Sequence, residues 1–245
     1  MVKPHILLIN PNTSAEITEA IRQLALAEIG DQAVLTAVTA PFGARYIATR
    51  TAVTIAAHAV IDAYAQATAE GRKYDAVVVA CFGDPGVDAL KEITAVPVLG
   101  FADGGLIAAA AEPGSFAIAT IGEAWRDMLI ELALRRGFAD RLAGVILIDE
   151  NGRLPEIAGP QITAAAKTLG VSRVIVGGTG LIPILDAIAD QVGVTVIDPH
   201  RSTLHDAIRA TAGAPEAEQH RPASNSPFAG LSPALLGLLQ NPRIA

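Results

Sequence analysis

YDAVVVACFGDPGVDAL, residues 74–90, joins a β-branched apolar run to the only cysteine of a 245-residue chain, then to a turn of small residues and the start of a helix. A continuous apolar run ended by Gly and Pro is the pattern of a strand buried on both faces, as in parallel sheets held between helical layers. The same layout returns in VSRVIVGGTGLIPILDAI, residues 171–188, which places Gly178 where the first copy has Cys81, 178 − 81 = 97 residues later. That spacing is about one small α/β lobe. Two such lobes facing each other set their strand ends on opposite walls of one cleft, where open α/β sheets bind ligands.

Outward from these two copies, short β-branched runs alternate with Ala-rich segments of helical period. Strands are predicted at 5–10, 34–40, 75–81, 96–101, 115–121, 143–148, 173–177 and 194–198. Helices are predicted at 14–29, 48–70, 85–92, 103–111, 123–136, 155–169, 181–191 and 200–212. The expected organisation is a first lobe of residues 1–100 joined by 200–245, and a second lobe of 101–199.

Hydrophobic residues make up 51% of the chain and aromatics only 4%, so the core must be built from Ala, Val, Leu and Ile. A net charge of −7 without any Lys/Arg cluster excludes a phosphate-backbone partner such as nucleic acid. One cysteine cannot form an internal disulfide, and the opening MVKPHILLIN is too short for a signal sequence or a span. The apolar region 96–121 is interrupted by Asp103, paired glycines and Glu112-Pro113. The expectation is a cytoplasmic protein with no membrane segment. Its Pro- and Ser-rich tail, 212–245, ends in an apolar LSPALLGLL that packs on the body or on a second subunit, hence a homo-oligomer.

A free cysteine is usually a small buried hydrophobe. Cys81 lies at a strand end, however, ahead of Phe82, Gly83, Asp84 and a helix start whose N–H groups favour a thiolate, so a functional thiol stands beside the packing role. INPNTS, residues 9–14, gathers Asn10, Asn12, Thr13 and Ser14 at the first strand end, suited either to hydrogen bonding a carboxylate or ureido group or to turn formation and helix capping. Pro41-Phe42-Gly43 follows the second strand, Thr120 ends the fifth, and Gly177-Gly178-Thr179-Gly180 offers backbone N–H groups and a hydroxyl. There is no GxxxxGK[ST] and no GxGxxG in the first strand-to-helix turn, so the turns do not read as nucleotide loops. The five histidines form neither HExxH nor any Cys/His spacing, which excludes a recognisable metal motif, and GxSxG is absent. Trp125 reads as packing near the cleft.

Taken together, INPNTS, ACFGDPGVDALKE and VIVGGTGLIP resemble the aspartate/glutamate racemase superfamily, specifically its hydantoin racemase branch, over most of residues 5–200. The resemblance implies two flavodoxin-like lobes related by a pseudo-twofold axis and an isomerase that needs neither pyridoxal phosphate nor metal. It also implies a small-molecule substrate whose α-proton is removed by one thiolate and replaced from the opposing thiol. Cys81 matches the first-lobe cysteine, the Asn10–Ser14 loop and Pro41-Phe42-Gly43 match substrate-holding loops, and Phe82, Gly83 and Asp84 match the oxyanion-side turn. The family's second-lobe motif is GC[AT]G or GCTH, and here Gly178 takes the cysteine's place, leaving Thr179 or water as the second acid. The departure keeps open single-cysteine covalent chemistry, as in the maleate isomerase relatives, giving a cis-trans isomer, a decarboxylated acid or a cleaved fragment, and a non-catalytic binder; the arylmalonate decarboxylase relatives protonate from the second-lobe cysteine that is absent here.

Overall fold

The computed structural model describes residues 3–69, 71–149, 154–178, 180–213 and 227–240. Its first sheet contains β1 (His5–Asn10), β2 (Val34–Thr39), β3 (Ala76–Val79) and β4 (Val98–Gly100); its second contains β5 (Phe116–Ile121), β6 (Leu142–Ile148), β7 (Arg173–Val176) and β8 (Thr195–Ile197). All pairings are parallel, and the strand orders β2-β1-β3-β4 and β6-β5-β7-β8 are the same order written twice. The helices are α1 (Ala15–Ile29), α2 (Arg50–Thr68), α3 (Val87–Ile93), α4 (Phe101–Ala110), α5 (Glu123–Arg135), α6 (Pro155–Leu169), α7 (Leu185–Ala189), α8 (Pro199–Gly213) and α9 (Pro233–Gln240), with a 3₁₀ turn over Ile182–Ile184.

Each sheet is covered on both faces, which is why its central strands are apolar at every position rather than at alternate ones. Ile6 and Leu8 of β1 pack with α1 and α8, whereas Leu7 and Ile9 pack on the opposite face with α2 and α3, and all four are fully buried. The second sheet repeats the division: Ala117 and Ala119 of β5 face α6 and α7, while Phe116 and Ile118 face α4 and α5. Small strand residues let the helices approach closely, consistent with so few aromatics.

Local signals set the helix ends. Ser14 accepts a hydrogen bond from the Ile17 N–H and Thr49 one from the Ala52 N–H at 3.1 Å, capping α1 and α2. The apolar end of the tail forms α9, capped by Ser232, whose hydroxyl also bonds Asp62; Leu235 is buried and Leu238 packs into the first lobe beside β1 and β3. Residues 214–226, part of the tail, lie outside the described residues. No helix among the described residues is long and apolar enough to cross a membrane.

Candidate functional site

The carboxyl ends of β1, β3, β5 and β7, the central strands of the two sheets, converge on one cleft. From the first lobe it is lined by Asn12, Tyr46, Ile47, Cys81 and Phe82. From the second it is lined by Thr120, Ile121, Trp125, Gly178, Gly180 and Leu181. Its volume is about 40 Å³, room for a few water molecules. Aromatic rings close it by crossing from one lobe to the other. A Cβ on Gly83 would fall 2.5 Å from the Trp125 ring, and one on Gly177 would fall 2.4 Å from the Phe82 ring. Each ring therefore rests on a glycine of the opposite lobe.

β3 ends at Val79, so Cys81 lies two residues past it in a tight turn rather than on the strand. The Ala80 N–H donates to the Ile9 carbonyl at 2.8 Å, and the Cys81 carbonyl accepts from the Gly83 N–H at 2.9 Å. Cys81 packs with Ile47, Ala56 and Trp125 and is only 8% exposed. Burial, and secondarily the charge of Asp84, pushes its thiol up from 9.0 to about 12. This corrects the expectation of a thiolate favoured by the next helix: in the closed cleft Cys81 is a neutral thiol.

The asparagine loop divides its labour. Asn10, fully buried, donates from Nδ2 to the Asn12 side chain, the Ser14 carbonyl and Thr18 Oγ1, and accepts from the Asn12 N–H. Asn12 Oδ1 is occupied by Asn10 and by the Ser14 N–H at 2.9 Å, which leaves Asn12 Nδ2 as the donor available to the cleft. Thr13 bonds the Ala44 carbonyl through its backbone, and Ser14 caps α1. Asp84, held at φ +52, turns away from the cleft: its carboxylate accepts from the N–H groups of Ala102 at 2.9 Å and Asp103 at 2.7 Å, capping α4. Burial, with the neighbouring Asp103, raises its pKa.

Pro41, Phe42 and Gly43 are exposed and do not line the cleft; the Phe42 ring instead meets His58 edge to face. The loop's contribution comes from Tyr46 and Ile47, which sequence inspection passed over although they stand three and four residues beyond Gly43. Ile121, the last residue of the expected fifth strand, and Leu181, four residues past the expected seventh, were also missed. Thr179 lies outside the described residues.

In the second lobe Gly178 lies two residues past the end of β7, as Cys81 does past β3. Its φ of +131° is one that side-chain-bearing residues rarely adopt. A Cβ placed there would have Thr120 Oγ at 3.6 Å as its nearest contact outside its chain neighbours. Thr120 is 3% exposed, and its hydroxyl, which opens on the cleft, makes no hydrogen bond among the described residues. No charged side chain lines the cleft, and no group of three or more His, Cys, Asp or Glu able to hold a metal ion occurs, in both cases among the described residues.

The family model described as Asp/Glu/Hydantoin racemase matches residues 6–207. A hydantoin racemase of Paenarthrobacter aurescens is 31% identical over 203 residues, 79% of this chain and 85% of the relative. Allantoin racemase from Klebsiella pneumoniae superposes with a TM-score of 0.83 at 25% identity, over 93% of this chain and 97% of that one. An aspartate racemase homologue from Pyrococcus horikoshii shares the fold, with a TM-score of 0.65 at 16% identity over 87% and 100% of the two chains.

Proposed function

The chain belongs to the Asp/Glu/hydantoin racemase family and is a racemase-type isomerase, and from that premise we propose that it acts on a small uncharged cyclic ureide with Cys81 as the base. The observation that carries the reading is the cleft's lining: a thiol, an amide donor and hydroxyls among apolar side chains, without a cation among the described residues. A free α-amino acid would bring a carboxylate into this space, and burying an unpaired carboxylate costs several kcal/mol. A hydantoin or allantoin ring carries no such charge. Its carbonyls and nitrogens also acidify the carbon to be deprotonated. The names of the relatives, hydantoin and allantoin racemase, agree with this preference.

In the proposed reaction the minor fraction of Cys81 that has lost its proton to solvent acts: its Sγ, as thiolate, takes the ring proton, and the electron pair of the C–H bond passes into the adjacent carbonyl as an enolate. Asn12 Nδ2 is the donor placed to stabilise the enolate oxygen. Tyr46, Ile47 and Trp125 accommodate the ring substituent and exclude water. A cavity of about 40 Å³ is far smaller than the several hundred Å³ of usual ligand sites, so entry requires the lobes to part, with Trp125 leaving Gly83 and Phe82 leaving Gly177.

Deuterium wash-in at the stereocentre, followed by NMR in D2O, tests the reading. A 5-substituted hydantoin should exchange with wild type and not with Cys81→Ala, while aspartate and glutamate should not exchange at all. Exchange of either amino acid, or of no neutral ureide, overturns it. The single thiol in the chain supports a second reading, covalent addition of Cys81 to an unsaturated or carbonyl substrate; a substrate-sized mass increase on Cys81 during turnover would favour it.

A further inference from the structure

Resting on the proposed function, we infer that Thr120 positions the proton donor for the substrate face opposite Cys81. A racemase needs an acid on that face, and the position equivalent to Cys81 has no side chain. Thr120 borders that position: Thr120 Oγ is the first atom a side chain at 178 would meet, at 3.6 Å. Three further observations concern the hydroxyl itself. It belongs to β5, hydrogen-bonded to a strand on each side, so its place is fixed. It lines the cleft together with Cys81. And although the residue as a whole is only 3% exposed, its hydroxyl makes no hydrogen bond among the described residues and is not one of the buried partnerless atoms, so it opens on the cleft where a ligand or water can bond it.

A threonine hydroxyl and water are comparably weak acids, but a threonine that gave up its proton would leave an alkoxide fixed in the cleft, whereas a water leaves a hydroxide that exchanges with solvent; the donor is therefore a water hydrogen-bonded to Thr120 Oγ in the space beside Gly178. The step balances as follows. Cys81 thiolate gains the ring proton and becomes a thiol; the enolate takes a proton from the water, forming a C–H bond on the opposite face while an O–H bond breaks. The resulting hydroxide recovers a proton from the Cys81 thiol through solvent, restoring thiolate and water. Nothing is oxidised or reduced.

Removal and inversion then depend on different residues, and one experiment separates them. A single enantiomer of a 5-substituted hydantoin, the one whose proton faces Cys81, is incubated in D2O, with deuterium content read by NMR and inversion by chiral chromatography. For Thr120→Val, close in shape and suited to a strand, inversion should fall by about tenfold or more while exchange with retention changes less than about threefold. Thr120→Ser should restore inversion. A merely structural role would move both rates together, and such parallel loss, in Thr120→Val or in Thr120→Ala, overturns the inference, as does unchanged inversion. If wild type shows no Cys81-dependent exchange, the proposed function itself fails; if exchange persists with a Thr120-independent inversion, only the present inference fails.

Discussion

The turn after β3 and the turn after β7 are built on the same backbone plan. In the first, the Ala80 N–H donates to Ile9 of β1 at 2.8 Å; in the second, the Gly177 N–H donates to Ala119 of β5 at 3.0 Å. Register makes Asn10 and Thr120 counterparts, each one residue beyond those acceptors. Their side chains differ in kind. Asn10 spends its hydrogen bonds inside its own loop, and the first lobe supplies the thiol; Thr120 keeps its hydroxyl unbonded, and the second lobe supplies a glycine at φ +131°. Symmetry in this molecule belongs to the sheets and their apolar layers. The chemistry placed on them is one-sided.

The largest expected effect tests which side carries the base. Cys81→Ala should lower deuterium wash-in by about 10³-fold, within the span usual for loss of a general base, while circular dichroism stays unchanged. If the variant retains wild-type exchange, the first lobe loses its distinction.

Next in size is the response to pH. With the folded thiol at about 12, the thiolate fraction in the closed cleft rises with pH, so wash-in should increase about tenfold per unit between pH 7 and 10. Stability should move the other way. The thiol ionises near 9.0 when unfolded and about 12 when folded, so the neutral form's contribution is intact below pH 9 and is lost as pH rises toward 12. Denaturant midpoints of wild type and Cys81→Ala, compared at pH 8 and 10.5, isolate this contribution: wild type should lose more on going to the higher pH. A pH-independent wash-in rate would mean that the thiolate already exists at neutrality.

Both turns contain a glycine that should resist substitution, for different reasons. Gly83→Ala drives a methyl into the Trp125 ring, an overpacking cost of about 1–3 kcal/mol that Trp125→Leu should relieve. Gly178→Ala meets only an ordinary contact, Thr120 Oγ at 3.6 Å, but needs a backbone conformation open mainly to glycine, a cost of about 1–3 kcal/mol that no neighbouring truncation recovers. Double-mutant cycles on denaturant midpoints distinguish the two. Relief of both by Trp125→Leu would show that the turns are closer in kind than their dihedral angles indicate. Gly178→Cys should pay the same backbone penalty and still gain inversion, because its side chain would stand beside Thr120.

Much of the fold was legible because buried parallel strands announce themselves: runs such as ILLI, AVVV and RVIV cannot be confused with half-exposed alternation, and all eight predicted strands occur. Strand-end polar residues were legible as a group, and Asn12, Cys81, Phe82, Thr120, Gly178 and Gly180 do converge. What the sequence could not tell is whether a polar group's hydrogen bonds are already committed locally. Asn10, Ser14 and Asp84 are of the right type and in the right turns, yet they serve their own loops and helix ends. Nor do Tyr46, Ile47 and Leu181 carry a local signal. They line the cleft because two lobes approach each other, a relation between segments more than a hundred residues apart.

The smallest effect is expected at the rim, where Arg50 of the first lobe meets Glu131 of the second through two hydrogen bonds of 2.6 Å. The geometry is bidentate, and the hydrogen bond from Arg50 holds the Glu131 carboxyl below the usual carboxylate range. Both side chains are exposed, however, at 61% and 44%. Water screens such a pair, and ordering two long side chains offsets most of its attraction. Arg50→Ala should therefore shift the unfolding temperature by less than about 2 °C and the apparent KM by less than about twofold, with the small KM change disappearing at 0.5 M salt. A larger, salt-sensitive change in KM would locate the work of opening at the rim. The buried contacts of Trp125 on Gly83 and Phe82 on Gly177 would then be followers of lobe closure, and the turns at β3 and β7 would meet only after charge had brought their lobes together.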